Sequence, residues 1–264
     1  MHGIPPVDPG TTFDWGKTSA DYGQFRPGYP ASFWSRLGAL GVGLTGQRVV
    51  DLGTGTGVMA REFARRGCRV VGVDVSAGQV AEARRLAEGE GLRAEWAVAP
   101  AEETGLAAAS WDLVSASQCW LYFDKARAIR EVKRLLAPGG HLLTCHLCWL
   151  PRVDAIARET EALVLRFNPH WTAADWAGVV PACPSWAEGE FEVAAMFRYD
   201  EAVPFTRESW RGRIRACRGV GASLAPDEVT RLDAELAALL ERIAPLAFEV
   251  LHRIDAHFFA PRTA

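Results

Sequence analysis

Short apolar, β-branched runs alternate with stretches of helical period along the first half of the chain. The runs fall at 48–52, 69–73, 93–98, 112–117 and 141–147, and helical stretches such as 77–88 and 125–136 lie between them. Strand-length runs separated by helix-length ones predict a parallel sheet with helices on its faces. Ser76 stands where the first of those helices needs an N-cap, and Pro138-Gly139-Gly140 is expected to end the second. After Leu150 the rhythm changes. Residues 152–166 read as a helix, 168–190 as an irregular insertion rich in Trp, Pro and Gly, and 191–203 as a strand; 209–218 and 227–243 read as helices and 248–259 as a strand. The start of the chain mixes Pro, Gly and aromatics without a period, as an arm that packs on a domain or closes over it would. The organisation expected is an arm at 1–31, an α/β core at 32–150, and a cap at 151–264 interleaved with the last two core strands.

Asp51-Leu52-Gly53-Thr54-Gly55-Thr56-Gly57 joins the first run to a helix-like start. Glycines there let the backbone approach a bound nucleotide-like ligand with no Cβ in the way. The spacing is GxGxG, and Val58 occupies the third-glycine position of the dinucleotide motif GxGxxG, which disfavours a nicotinamide cofactor. The second run ends in Asp74, about 20 residues past the first glycine, the offset at which a carboxylate accepts both hydroxyls of a ribose. Its plainer reading is an acid placed to suit the helix that follows.

These motifs continue in order through Ala101-Glu102-Glu103-Thr104-Gly105-Leu106, Trp111-Asp112-Leu113-Val114-Ser115-Ala116-Ser117-Gln118 and Leu135-Leu136-Ala137-Pro138-Gly139-Gly140-His141-Leu142-Leu143. The series resembles the class I S-adenosylmethionine (SAM) dependent methyltransferases, and Tyr22-Gly23-Gln24-Phe25-Arg26-Pro27 resembles the Tyr-x-x-x-Arg-Pro opening segment of many small-molecule members. The resemblance implies a Rossmann-like seven-stranded α/β sheet flanked by helices, SAM as cofactor, and a small-molecule acceptor methylated by in-line displacement. It also implies a holder for each part of SAM. Gly53, Thr54, Gly55 and Gly57 would surround the amino-acid portion, with Asp51 near the ammonium and Arg26 on the carboxylate beside Tyr22. Asp74 would take the ribose, Val75 would pack on adenine, Ala101 and Glu102 would reach its edge, and Ser117 and Gln118 would face the methyl.

A fold of this kind that binds SAM without transferring methyl would keep the same loop, so the motifs leave both activities open. Charge narrows the partners: a net of -3 gives no electrostatic footprint for nucleic acid. The first residues lack a basic and an apolar targeting segment, and no run reaches membrane-spanning length, so the expectation is a soluble cytoplasmic protein, monomeric or homodimeric. Six scattered cysteines read as free thiols. Cys145-His146-Leu147-Cys148 has no second pair to complete a zinc site, and no metal is expected.

His146, near the end of the fifth run, is the candidate catalytic base, and a histidine satisfied within a strand is the alternative. Cys119, His170, Trp171 and Arg211 are the candidate acceptor contacts: Cys119 follows the fourth run, His170 and Trp171 sit in the insertion, and Arg211 shares a helical stripe with Arg215 and Arg218. His252 and His257 read as structural. Trp149, Trp171, Trp176, Trp186 and Trp210 fit either an aromatic wall or core packing.

Overall fold

A computed structural model describes residues 19–262. The described chain runs α1 (Ser19–Phe25), α2 (Ala31–Ala39), β1 (Arg48–Leu52), α3 (Val58–Arg65), β2 (Arg69–Asp74), α4 (Ala77–Gly89), β3 (Glu95–Val98), β4 (Trp111–Ser117), α5 (Lys125–Leu135) and β5 (Leu136–Trp149). It continues with α6 (Ala155–Phe167), β6 (Phe191–Thr206), α7 (Arg207–Arg215), α8 (Pro226–Ile243) and β7 (Ala247–Pro261). The strands form one seven-stranded sheet in the order β3-β2-β1-β4-β5-β7-β6. Pairings β1 with β2, β1 with β4, β2 with β3 and β4 with β5 are parallel, as the alternation of runs requires.

By packing, the chain divides into two compact units. A core unit comprises the described residues of 28–146, 181–198 and 255–264, and a second unit those of 1–27, 147–180 and 199–254. In the core unit, Val50 and Leu52 of β1, Val114 of β4 and Leu142 of β5 are fully buried, because a parallel strand covered by helices on both faces is apolar throughout. Trp186, in the irregular insertion, packs against Trp120 and Phe259 in this core, with ring centroids 4.5 and 5.1 Å away. In the second unit, Leu232, Leu236 and Leu240 line one face of α8 and are fully buried, each contributing about 1.5–3 kcal/mol. Trp210 of α7 is also fully buried, and its indole N–H donates to Thr160 Oγ1 at 3.0 Å.

Local signals explain most boundaries. Ser76 caps α4 by accepting from the Gln79 N–H at 3.4 Å, and Asp154 caps α6 by accepting from Ala157 at 2.9 Å. Pro138-Gly139-Gly140 corrects the sequence reading. The helix stops at Leu135, and these residues lie inside β5. Leu136 and His141 face Trp111 and Leu113, so the Pro-Gly-Gly segment is a bulge in the strand, with Gly139 at φ +79. The segment expected to be an aperiodic arm contains the short helix α1; residues 1–18 of that arm lie outside the described residues.

Candidate active site

The loop after β1 is shaped by the protein as much as by any ligand. Gly53, Gly55 and Gly57 all have positive φ, which side chains resist. A Cβ on Gly53 would lie 2.8 Å from the Cys119 side chain, and one on Gly57 would lie 2.6 Å from Trp96. Gly57 therefore supplies the close approach of helix to sheet that a dinucleotide motif assigns to its third glycine. Cys119 wedges beneath the loop: its thiol donates to the Leu52 carbonyl at 3.0 Å, and burial pushes its pKa well up.

Asp51 is almost completely buried, and its two oxygens accept from the hydroxyls of Ser115 and Thr54, both at 2.6 Å. Burial pushes its pKa up to about 6, against the opposing effect of those bonds. The carboxylate ties the loop to β4, and Thr54 serves as that tie. Asp74 ends β2 with Oδ2 accepting from the Gly55 N–H and Oδ1 from the Ser76 N–H, both at 2.9 Å. Burial raises its pKa, with the backbone bonds working the other way. Beside it Val75 is 69% exposed, an apolar side chain left uncovered next to the acid. Ala101 is buried in the core, while Glu102 accepts from the Asp124 N–H at 2.8 Å at the start of α5. The hydroxyl of Thr56, fully buried in the same loop, has no hydrogen-bond partner among the described residues.

The carboxyl ends of β4 and β5 gather a second group. Ser117 pairs with Cys145, and the Gln118 N–H donates to the Cys145 carbonyl at 3.0 Å. Gln118 holds φ +64, a conformation uncommon for a residue with a side chain. Tyr29 Oη and Ser117 Oγ lie 2.9 Å apart, and both hydroxyls also engage Cys145, whose thiol burial pushes up to about 12. Next along β5 is His146. Its Nδ1 lies 3.0 Å from Asp255 Oδ1, and Asp255 is 1% exposed. Nδ1–H donates to that carboxylate, which leaves Nε2 as the lone-pair nitrogen, buried and without a partner among the described residues. Burial alone would lower the His146 pKa; the attraction and hydrogen bond of Asp255 outweigh it and raise it. Asp255 was missed in the sequence, although an acid inside the apolar strand Arg253-Ile254-Asp255-Ala256-His257 is itself a signal. His257 bonds the Pro181 carbonyl through Nε2 at 2.8 Å.

The remaining candidates belong to the second unit. Tyr22 and Arg26 lie on and just beyond α1, with the guanidinium 5.1 Å from the Tyr22 ring centroid. His170 is exposed, and Trp171 is buried against Gly219, where a Cβ would come within 2.5 Å of the indole. Arg211 is engaged with Asp233, its Nε 3.1 Å from Oδ1. Among the described residues no group of three or more His, Cys, Asp or Glu side chains could hold a metal ion, and no helix is long and apolar enough to cross a membrane.

Residues 49–140, which hold the glycine loop, Asp74 and β4, match the family model of a methyltransferase domain. Over 133 residues the chain is 31% identical to the ubiquinone biosynthesis O-methyltransferase of Acinetobacter baumannii, covering 49% of this chain and 56% of that protein. It is 34% identical over 150 residues to an uncharacterized methyltransferase of Mycobacterium bovis, covering 57% of each. The chain thus spans little more than half the length of these curated relatives. Among solved structures, a proposed type II methyltransferase of Anaeromyxobacter dehalogenans aligns over 90% of this chain and 98% of its own, with 25% identity and a TM-score of 0.58. A phosphoethanolamine N-methyltransferase of Haemonchus contortus, solved with phosphomonomethylethanolamine and S-adenosylhomocysteine, shares the fold at 21% identity and a TM-score of 0.52, over 92% of this chain and 57% of its own. Residues 49–140 thus match a methyltransferase domain, and the glycine loop, the acid ending β2 and the strand order are similar to those of the class I SAM-dependent methyltransferases.

Proposed function

We propose that the chain transfers the methyl group of SAM to a hydroxyl or amine of a small molecule, with His146 as general base and Asp255 as the residue that positions it. The observation that carries this reading is a buried carboxylate 3.0 Å from Nδ1 of a histidine whose Nε2 is unpartnered among the described residues. The residues present fit the cofactor: the positive-φ glycines leave backbone open to its amino-acid part, Asp74 has lone pairs for the ribose, and exposed Val75 offers an apolar face to adenine. Bound SAM supplies a methyl activated by its sulfonium.

Transfer to a neutral acceptor requires a proton to leave, and alignment supplies much of the remaining acceleration. With Nδ1–H held by Asp255, Nε2 takes the acceptor proton, and the carboxylate stabilises the imidazolium that results. The acceptor's electron pair would then form the new bond to the methyl carbon, with S-adenosylhomocysteine as the leaving group keeping the carbon–sulfur pair. Ser117 and Tyr29 supply hydroxyls at the same strand ends to orient the acceptor. The net charge of -3 and the oxygen acceptor in the name of one relative support a small molecule with a hydroxyl. Incubation with SAM and a panel of phenols and amines should release S-adenosylhomocysteine in an acceptor-dependent way. SAM binding with no release across the panel would leave a cofactor-binding protein instead.

A further inference from the structure

The arginines of α7 are not equivalent. Arg207 donates to the Ala244 carbonyl, Arg211 meets Asp233, and Arg215 meets Asp21 and Asp233 at 2.8 and 2.9 Å. Arg213 meets no oxygen among the described residues. It is 6% exposed, its Nη1 donates to Cys217 Sγ at 3.0 Å, its guanidinium lies 4.9 Å from the Trp149 ring centroid, and its buried Nε has no partner among the described residues. A guanidinium taken out of water without an anion is costly, and the fold adds to the cost. Phe25 of α1 seats on Gly212, where a Cβ would lie 2.1 Å from the ring, and Arg26, the residue after it, is near enough to Arg213 to act on it electrostatically. The two cations repel, which works with burial to lower the Arg213 pKa. Both also act on His252: burial first, then the two arginines, lower its pKa to about 4, so the imidazole beside them is neutral.

Two adjacent arginines, one buried with a free N–H, are built for an anion with two oxygens, because planar guanidinium forks match a carboxylate. We propose that Arg213 and Arg26 form a carboxylate site within the second unit. Two ligands could bring that carboxylate, the amino-acid end of the cofactor or a separate acidic acceptor. Naming those sources rests on the methyltransferase reading; the carboxylate site does not.

Calorimetry on the full chain tests it with two pairs of probes, each setting a ligand that carries a carboxylate against one that lacks it. S-Adenosylhomocysteine is paired with 5′-methylthioadenosine, and benzoate with benzamide. Arg213→Gln should weaken the charged member of one pair at least tenfold and leave its neutral counterpart unchanged, and Arg26→Gln should act in the same direction. Loss confined to S-adenosylhomocysteine assigns the site to the cofactor, and loss confined to benzoate assigns it to an acidic acceptor. Without ligand, Arg213→Gln should melt no lower than the wild type, since an unpaired buried charge is removed. Should that variant fail to fold, Arg26→Gln carries the comparison, because Arg26 is only half-buried. If neither carboxylate depends on either arginine, the site does not exist, and because no readout requires turnover, that result is separate from failure of methyl transfer.

Discussion

At the scale of single residues, Asp74 and His146 are each defined by what their neighbours leave free. Asp74 already accepts one backbone N–H on each oxygen, and a carboxylate has lone pairs for two more bonds, enough for both ribose hydroxyls. Asp74→Ala should weaken S-adenosylhomocysteine binding by about 1.5–3 kcal/mol, as measured by calorimetry. Unchanged affinity would remove the ribose role. His146 must be neutral at Nε2 to act as base, and Asp255 raises its pKa above the ordinary 6.5. The rate with a phenol acceptor should therefore rise with pH through that raised value. Asp255→Asn removes the raising influence and leaves burial, so the acidic limb should move to lower pH while the maximum rate falls. His146→Ala should lower the rate by about 10²–10⁴ and abolish the limb, with S-adenosylhomocysteine affinity intact. A stable His146→Ala protein with full turnover would leave alignment as the source of catalysis.

At the scale of elements, the glycine loop shows what a sequence conveys and what it conceals. Its glycines and the acid ending β2 are legible because their types are rare in such places and their spacing fixes their roles. The partner that makes Gly57 indispensable, Trp96 on β3, is not, since nothing local connects residues so far apart. Gly57→Ala combines left-handed backbone strain of about 1–2 kcal/mol with an overpacking cost of about 1–3 kcal/mol, and should lower the unfolding free energy by roughly that total. Urea titration would register it, and a loss of only the strain, about 1–2 kcal/mol, would mean Trp96 moves aside freely. Strands β1 and β2 and helix α4 were readable to within a residue from periodicity and the Ser76 cap. α1 was not, because its seven residues are too few to show a helical period and their support comes from α7, through the Arg215–Asp21 pair and the seat of Phe25 on Gly212. Asp255 was hidden for a related reason: it is a charge on an otherwise apolar strand, noticed only once its partner His146 is seen.

At the scale of the whole molecule, buried charges set opposite dependences of stability on pH. Glu131 has its pKa pulled down to about 2, first by the hydrogen bond from Arg134, so it stabilises the fold above its ordinary 4.5 and that contribution is lost as pH falls toward 2. Asp51 has the other sign. Its pKa is raised from 3.8 to about 6, chiefly by burial, so the folded state holds this proton more tightly than the unfolded chain. That contribution is fully present below about pH 3.8 and is lost as pH rises through about 6. The shift corresponds to about 3 kcal/mol, which the ligand-free protein forgoes at neutral pH to keep a carboxylate under the glycine loop. Asp51→Asn cannot titrate there. Urea unfolding of both proteins from about pH 4 to pH 7 should show the wild type losing up to about 3 kcal/mol relative to the variant as pH rises. Parallel curves would mean that the Ser115 and Thr54 hydroxyls hold Asp51 near its ordinary value, and that its charge costs the fold nothing.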